Sequence, residues 1–177
     1  MEELTIEAYE TQDKEALLDE IMDRSGQDIL RLVYVYVNDR EIAEDLTQDI
    51  IVKSYKSLHT NRGKSKLRTW LWRIAINHCK DFLKSWYNKN VILTENESTR
   101  NRTKKEMVEQ VIIRREEDTE LITSIMTLPI KYREVIYLFY YEELLIKEIA
   151  VVTEASANTV KTRLRRAKEL LKERLEA

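Results

Sequence analysis

A chain of 177 residues with two glycines, Gly26 and Gly63, and one proline, Pro129, has little from which to build tight turns. A β-rich fold needs many of them, and they draw on Gly, Pro and Asn. The shortage points to an all-α fold of long helices joined by short polar loops. Hydrophobic residues make up 43% of the chain and charged residues 35%, enough for small cores under a heavily charged surface.

Apolar spacing places the helices. Lys14 to Met22 reads as a short helix, with a break at Ser25-Gly26. Ile29 to Val37 resumes with Leu30, Val33, Tyr34 and Val37 at i, i+3, i+4 and i+7. Asn38-Asp39 forms a turn and cap. Arg40 to Leu58 carries the stripe Ile42, Leu46, Ile50, and Lys66 to Trp86 is a long helix after the loop at Gly63. Asn88 to Glu106 is polar and reads as a linker between two lobes. Beyond it, a helix around Leu121 to Leu128 stops at Pro129. Helices follow over Ile130–Glu143, Ile146–Val152 and Asn158–Leu175, with a turn at Thr153–Ala157. The division this predicts is residues 1–87, a linker over 88–114, and 115–177.

The formal net charge is −2, but it is unevenly spread. Residues 1–58 carry 15 acidic and 6 basic groups, a net −9. Residues 59–89 are net +7 and residues 156–177 net +4. An acidic front followed by two separate basic blocks predicts two polyanion-facing surfaces and one surface for another partner. A single cysteine, Cys79, excludes an internal disulfide and fits a reducing compartment. No apolar run approaches the ~20 residues that span a bilayer, and the acidic amino terminus lacks signal-peptide character. The expectation is a cytoplasmic protein without membrane insertion.

The strongest local pattern is Lys147 to Leu164: a short helix, a brief turn and a second helix with a basic face, which is a helix-turn-helix. Ile149, Ala150, Val160 and Leu164 would form its core, and the Ser156 hydroxyl would cap the second helix. Lys161, Arg165, Lys168 and Lys172 fall at i, i+4, i+7 and i+11, one stripe beside the apolar stripe Val160, Leu164, Ala167, Leu171. Amides at such a helix start favour phosphate, and the residues just inside it meet base edges. A solvated basic helix is the plainer reading, and the turn pattern argues against it.

In the helix from Lys66, one side presents Trp70, Arg73, Asn77, Lys80 and Lys84 and the other Leu71, Ile74, Ala75, His78 and Phe82. Cations and an amide beside an aromatic can follow a phosphate backbone and stack an unpaired base. The preceding loop, Asn61-Arg62-Gly63-Lys64-Ser65-Lys66, could receive a base taken out of the stack. Trp72 reads as core; Trp70 suits either role. A third face, Asp45, Gln48 and Asp49, lies opposite Leu46 and Ile50 and could dock a basic protein. Catalysis has no support there, since neither nucleophile nor histidine accompanies the carboxylates. His78 and Cys79 point about 100° apart on one helix and make a poor metal pair. Phosphate-cradling and hydrolase motifs are missing, so neither an enzyme nor a cofactor is expected.

Taken in order, Ala43-Glu-Asp-Leu-Thr-Gln-Asp, Thr69-Trp-Leu-Trp-Arg-Ile-Ala-Ile-Asn, Leu128-Pro-Ile-Lys-Tyr-Arg-Glu-Val-Ile, Glu148-Ile-Ala and Thr159-Val-Lys-Thr-Arg-Leu-Arg-Arg-Ala resemble the extracytoplasmic-function (group IV) sigma factors of bacterial RNA polymerase. The resemblance runs from about Lys14 to Leu175. It implies a sigma region 2 bundle and a sigma region 4 helix-turn-helix, joined by the polar linker. Asp45, Gln48 and Asp49 would grip the clamp helices of the large polymerase subunit. Asn61, Arg62, Lys64, Lys66, Trp70, Arg73, Asn77, Lys80 and Lys84 would melt and read the promoter −10 element, with Asn77 the first choice for base contact. Ser156, Asn158, Thr159, Lys161, Thr162, Arg163, Arg165 and Arg166 would read the −35 element. The apolar face of Ile130 to Tyr141 would meet the polymerase flap, and a cognate anti-sigma factor is a further implied partner. Free, the chain is expected to be a monomer that binds DNA poorly. Family members usually carry glycine in the turn before the reading helix and again near its start; this chain has Glu154 and Asn158.

Two other readings cover part of the pattern. A stand-alone repressor would need a dimer and would leave Ala43 to Asn77 unexplained. An interaction adaptor would bind another sigma factor's partner without promoter activity.

Overall fold

The computed structural model describes residues 14–57, 67–90 and 119–177, and among them every regular element is a helix. The order is α1 (Lys14–Val37), α2 (Arg40–Lys56), α3 (Leu67–Asn90), α4 (Thr119–Met126), α5 (Ile130–Tyr140), α6 (Ile146–Thr153) and α7 (Ala157–Glu176). The first three form one lobe and the last four another.

The break expected at Ser25-Gly26 does not occur; α1 runs through it. A helical glycine costs only about 1 kcal/mol relative to alanine. Ile21, Ile29, Leu32, Val33 and Tyr36 bury one continuous stripe on both sides of it, and that burial outweighs the local preference. Asn38 ends α1 in the left-handed region (φ 52°). Asp39 then starts α2, its carboxylate accepting the Ile42 N–H at 3.1 Å. α3 continues to Asn90, past Asn88, where composition alone places the start of the linker. Its buried residues Leu71, Trp72, Ala75, Ile76 and Cys79 keep helical spacing.

In the second lobe Pro129 separates α4 from α5, and Arg133 donates to the Leu128 carbonyl across the corner. Helix α5 ends at Tyr140, short of Glu143, whose φ of 54° does not fit a helix. α6 and α7 enclose Ile149, Val152, Val160 and Leu164. Ile125, Leu128, Ile136, Ala167 and Leu171 make a second small core under the far half of α7.

The lobes do not stand apart. α3 packs on α6 and α1 on α5. Leu71 and Ile76 of the first lobe share one buried cluster with Val135, Ile149 and Val152 of the second. Polar groups close the seam: Arg133 donates to the Val35 carbonyl at 2.7 Å, 98 positions away in sequence.

Candidate nucleic-acid interface

The turn between α6 and α7 sets where α7 points. Glu154 closes α6 in the left-handed region, φ 55° and ψ 36°. That conformation suits glycine and costs a residue with a Cβ roughly 1–2 kcal/mol. The Ala155 N–H reaches the Ala150 carbonyl at 3.1 Å, satisfying an end of α6. Ser156 caps α7 as expected, its hydroxyl accepting the Thr159 N–H at 3.1 Å. Asn158 lies inside α7, so of the two positions that depart from glycine only Glu154 has positive φ.

With Val160, Leu164, Ala167 and Leu171 buried, α7 turns Lys161, Thr162, Arg165, Arg166 and Lys168 to solvent. Asn158, Thr159, Thr162, Arg163, Arg165 and Arg166 border an open concavity of about 660 Å³ against Lys131 and Tyr132 of α5. Six of the eight expected −35 residues thus share one polar hollow. Arg163 is the odd member: half-buried, it lies 3.9 Å from the Glu134 carboxylate. Lys168 leans back over the rings of Phe139 and Tyr140, 5.6 Å from each.

The other basic surface differs. Trp72 is fully buried, with the Arg68 guanidinium 5.5 Å from its ring, and Trp70 is half-buried against the same core. Lys84 is exposed. Arg73, Asn77 and Lys80 face the second lobe. Arg73 donates twice to the Glu154 carboxylate, at 3.2 and 3.3 Å, and Asn77 donates to it at 3.4 Å. These bonds, Arg73's first, hold the Glu154 carboxyl below its usual pKa. Lys80 reaches the buried Glu134 carboxylate at 3.3 Å and the Thr153 carbonyl at 3.4 Å. Asn61, Arg62, Lys64 and Lys66 lie outside the described residues.

Sequence reasoning missed the partners. Glu134 also accepts the Tyr36 hydroxyl, and burial, then the neighbouring carboxylate, push that tyrosine well above its usual pKa. Arg68 donates to Glu142 at 2.6 Å. Burial raises the Glu142 carboxyl, and Arg68 partly offsets it. Glu134 lies within α5 and Glu142 in the turn that follows it, and their first-lobe partners Tyr36, Lys80 and Arg68 are each more than 50 residues distant.

On α2, Asp45, Gln48 and Asp49 are all exposed on one side, above buried Leu46 and Ile50. Cys79 is fully enclosed, its thiol pushed up to about 12 by burial. Among the described residues no cluster of three potential metal ligands occurs, and no helix is long and apolar enough to cross a membrane.

Comparison with known proteins matches these two lobes separately. Residues 21–87 match the family model for sigma-70 region 2, and residues 118–171 that for sigma-70 region 4. RNA polymerase sigma factor SigV of Bacillus subtilis is 31% identical over 161 residues, covering 91% of this chain and 92% of SigV. RNA polymerase sigma-H factor of Pseudomonas aeruginosa is 29% identical, covering 97% of this chain and 92% of its own length. Among solved structures, CnrH bound to the cytosolic domain of CnrY superposes with a TM-score of 0.66 at 20% identity, over 92% of this chain and 89% of that one. Sigma factor RpoE of Bartonella quintana, bound to the anti-sigma factor NepR, gives 0.63 at 19% identity, over 90% and 96%.

Proposed function

This chain belongs to the extracytoplasmic-function RNA polymerase sigma factors, and we propose how its surfaces divide the work. A factor of this kind directs promoter-specific transcription initiation by binding. The observation that carries our reading is that one chain bears a solvent-facing basic stripe on a helix-turn-helix and a second basic–amide face on α3.

On this reading residues 1–87 act as the clamp-binding and −10 unit, 88–114 as a tether, and 115–177 as the −35 unit. Asp45, Gln48 and Asp49 dock on basic clamp helices of the polymerase; charge complementarity there sets association rate and register. Ser156, Asn158 and Thr159 bring the start of α7 to phosphate, while Lys161, Thr162, Arg165 and Arg166 reach into the major groove. A good bidentate base contact there discriminates by about 1–3 kcal/mol. Trp70, Arg73, Asn77, Lys80 and Lys84, with Asn61, Arg62, Lys64 and Lys66 before them, hold the unpaired non-template strand. Their contacts must offset a few kcal/mol of unstacking per step. Holding both elements on one polymerase makes the second contact intramolecular and raises its effective concentration. The exposed Ile130 and Tyr140 of α5 supply the apolar contact with the flap. An anti-sigma factor of this chain's own completes the partner set.

The test is run-off transcription with core polymerase over fragmented genomic DNA. Discrete transcripts sharing two upstream elements are expected, and a Lys161→Ala/Arg165→Ala variant loses dependence on the upstream one. Core polymerase that yields no promoter-specific transcript with this chain refutes the reading. A dimer that binds an operator tightly without polymerase would favour a stand-alone repressor instead.

A further inference from the structure

Helix α3 outruns the core that holds it. Its last fully buried residue is Cys79, and Phe82 and Leu83 pack against that core only in part. From Lys84 to Lys89 every residue is exposed, yet the helix continues to Asn90. The sequence has no carboxylate between Asp81 and Glu95, so this end carries cations, amides and two aromatic rings without an acidic neighbour in the chain.

Register decides what such an end can do. At 3.6 residues per turn, Arg73, Asn77, Lys80, Lys84, Tyr87 and Asn88 fall within one sector of about 100°. Arg73, Asn77 and Lys80 belong to the stripe assigned above to the −10 strand. Lys84, Tyr87 and Asn88 carry the same stripe two turns farther, while Trp86 and Lys89 fall on the opposite side. A single exposed aromatic is ordinary on a protein surface, and a lysine in a last helical turn is accounted for by the helix dipole. That reading covers Lys89. It does not cover an ammonium, a phenol and an amide in register with one another, with Tyr87 68% exposed. Lysine, tyrosine and asparagine are among the usual donors to phosphate oxygens.

Position along the helix identifies which DNA they meet. The loop that would receive a base taken out of the stack precedes the start of α3, and Tyr87 is near its far end. Ten residues of helix separate Asn77 from Tyr87, about 15 Å, or roughly four base pairs of duplex. The chain also leaves this end of α3 for the second lobe, whose promoter element lies upstream. The far end therefore points away from the unpaired bases and toward the paired DNA between the two elements.

We propose that Lys84, Tyr87 and Asn88 form a second DNA contact of α3, gripping backbone phosphates of the duplex immediately upstream of the −10 element without reading its sequence. Such a grip fixes the boundary between paired and melted DNA. The inference rests on the assignment of the α3 stripe to DNA, and the experiment separates the two.

The test uses holoenzyme assembled from core polymerase and the full chain, on a promoter fragment recovered by run-off transcription. The photocrosslinker p-benzoylphenylalanine replaces Lys80, Trp86 or Tyr87, one at a time. Lys80 should crosslink within the −10 element and Tyr87 about three base pairs farther upstream, seven helical residues on. Trp86 should give no DNA crosslink. Exchanging the base pairs upstream of the −10 element should leave the Tyr87 crosslink in place. In binding titrations Lys84→Ala should lower the slope of log affinity against log salt by about 0.9, the value for one duplex phosphate. Tyr87→Phe should weaken binding about threefold, as for one lost hydrogen bond, and Lys89→Ala should leave the slope unchanged. All these sites but Lys80 are exposed, so loss of folding is not their expected effect. A crosslink from Lys80 without one from Tyr87 overturns the second contact alone. The same holds for equal salt slopes in Lys84→Ala and Lys89→Ala, or for a Tyr87 crosslink that disappears when the upstream sequence changes. DNA crosslinks from neither Lys80 nor Tyr87 overturn the assignment of α3 to DNA and this contact with it.

Discussion

The two basic surfaces of this sigma factor have similar composition and opposite availability. On α7, Lys161, Arg165 and Arg166 face solvent, the two arginines beside an open hollow, and the helix is held by its own apolar stripe. On α3, Arg73, Asn77 and Lys80 are bonded to carboxylates from the other lobe. A row of cations thus identifies a surface suited to polyanions without saying whether that surface is open. The geometry that decides it comes from residues far away in the chain.

The comparison breaks most sharply if the lobes melt apart. Trp72 is fully buried in a cluster that spans both lobes. Replacing a large buried aromatic with alanine costs about 3–5 kcal/mol. For Trp72→Ala we expect a loss of that size in a single cooperative urea transition seen by both helicity and tyrosine fluorescence. Two separated transitions, with only the first shifted, would mean the lobes are independent and the α3 face free.

A smaller effect sharpens the other side. Lys161→Ala/Arg165→Ala should lower −35-dependent transcription by about thirtyfold or more, since each of the two lost base contacts contributes about 1–3 kcal/mol. It should leave the circular-dichroism melting curve unchanged, because both side chains face solvent. A large fall in melting temperature would place them in the fold instead. Smaller again, Ser156→Ala removes the cap of α7 and should cost about 1 kcal/mol in denaturant unfolding, whereas Ser156→Asn should restore most of it.

The smallest concerns pH. Burial, then the nearby Lys53, lowers the pKa of His78, against the opposing pull of Asp49 and Asp81. A histidine that binds its proton less well folded than unfolded favours the native state above the unfolded pKa, about 6.5. That contribution is lost as pH falls through this value toward the lower folded one. Denaturant midpoints of the parent chain and His78→Gln should therefore converge between pH 7.5 and about 5. Parallel profiles would contradict the assignment.

Much of the fold is legible in the sequence because helical spacing is a local signal. Of the residues that spacing puts on the buried side of α3, Leu71 and Ala75 are buried together with Trp72, Ile76 and Cys79, while Ile74, His78 and Phe82 are only partly so; Ser156 is a cap that directly precedes an amphipathic helix. Gly26 misleads for the same reason: its preference is local, while the burial of Ile21 and Ile29 that overrides it depends on α2 and α3. The candidate site divides likewise. The sequence places Arg73, Asn77 and Lys80 on one side of a helix, and they are there. Glu134 and Glu142 carry no local sign of burial, yet both are almost fully buried. Their partners Tyr36 and Arg68 lie 98 and 74 positions away, and no spacing rule reaches that far. Glu154 left the clearest trace, a carboxylate where the resemblance leads one to expect glycine.

The central claim is that the free chain covers its α3 face and leaves its α7 face open. The most direct measurement is lysine acetylation read by mass spectrometry, in the free chain and in complex with core polymerase. Lys80, held by Glu134 and the Thr153 carbonyl, should react several-fold more slowly than exposed Lys84 on the same helix or Lys161 on α7, and the complex should abolish the difference between Lys80 and Lys84. Equal rates for Lys80 and Lys84 in the free chain would contradict the account.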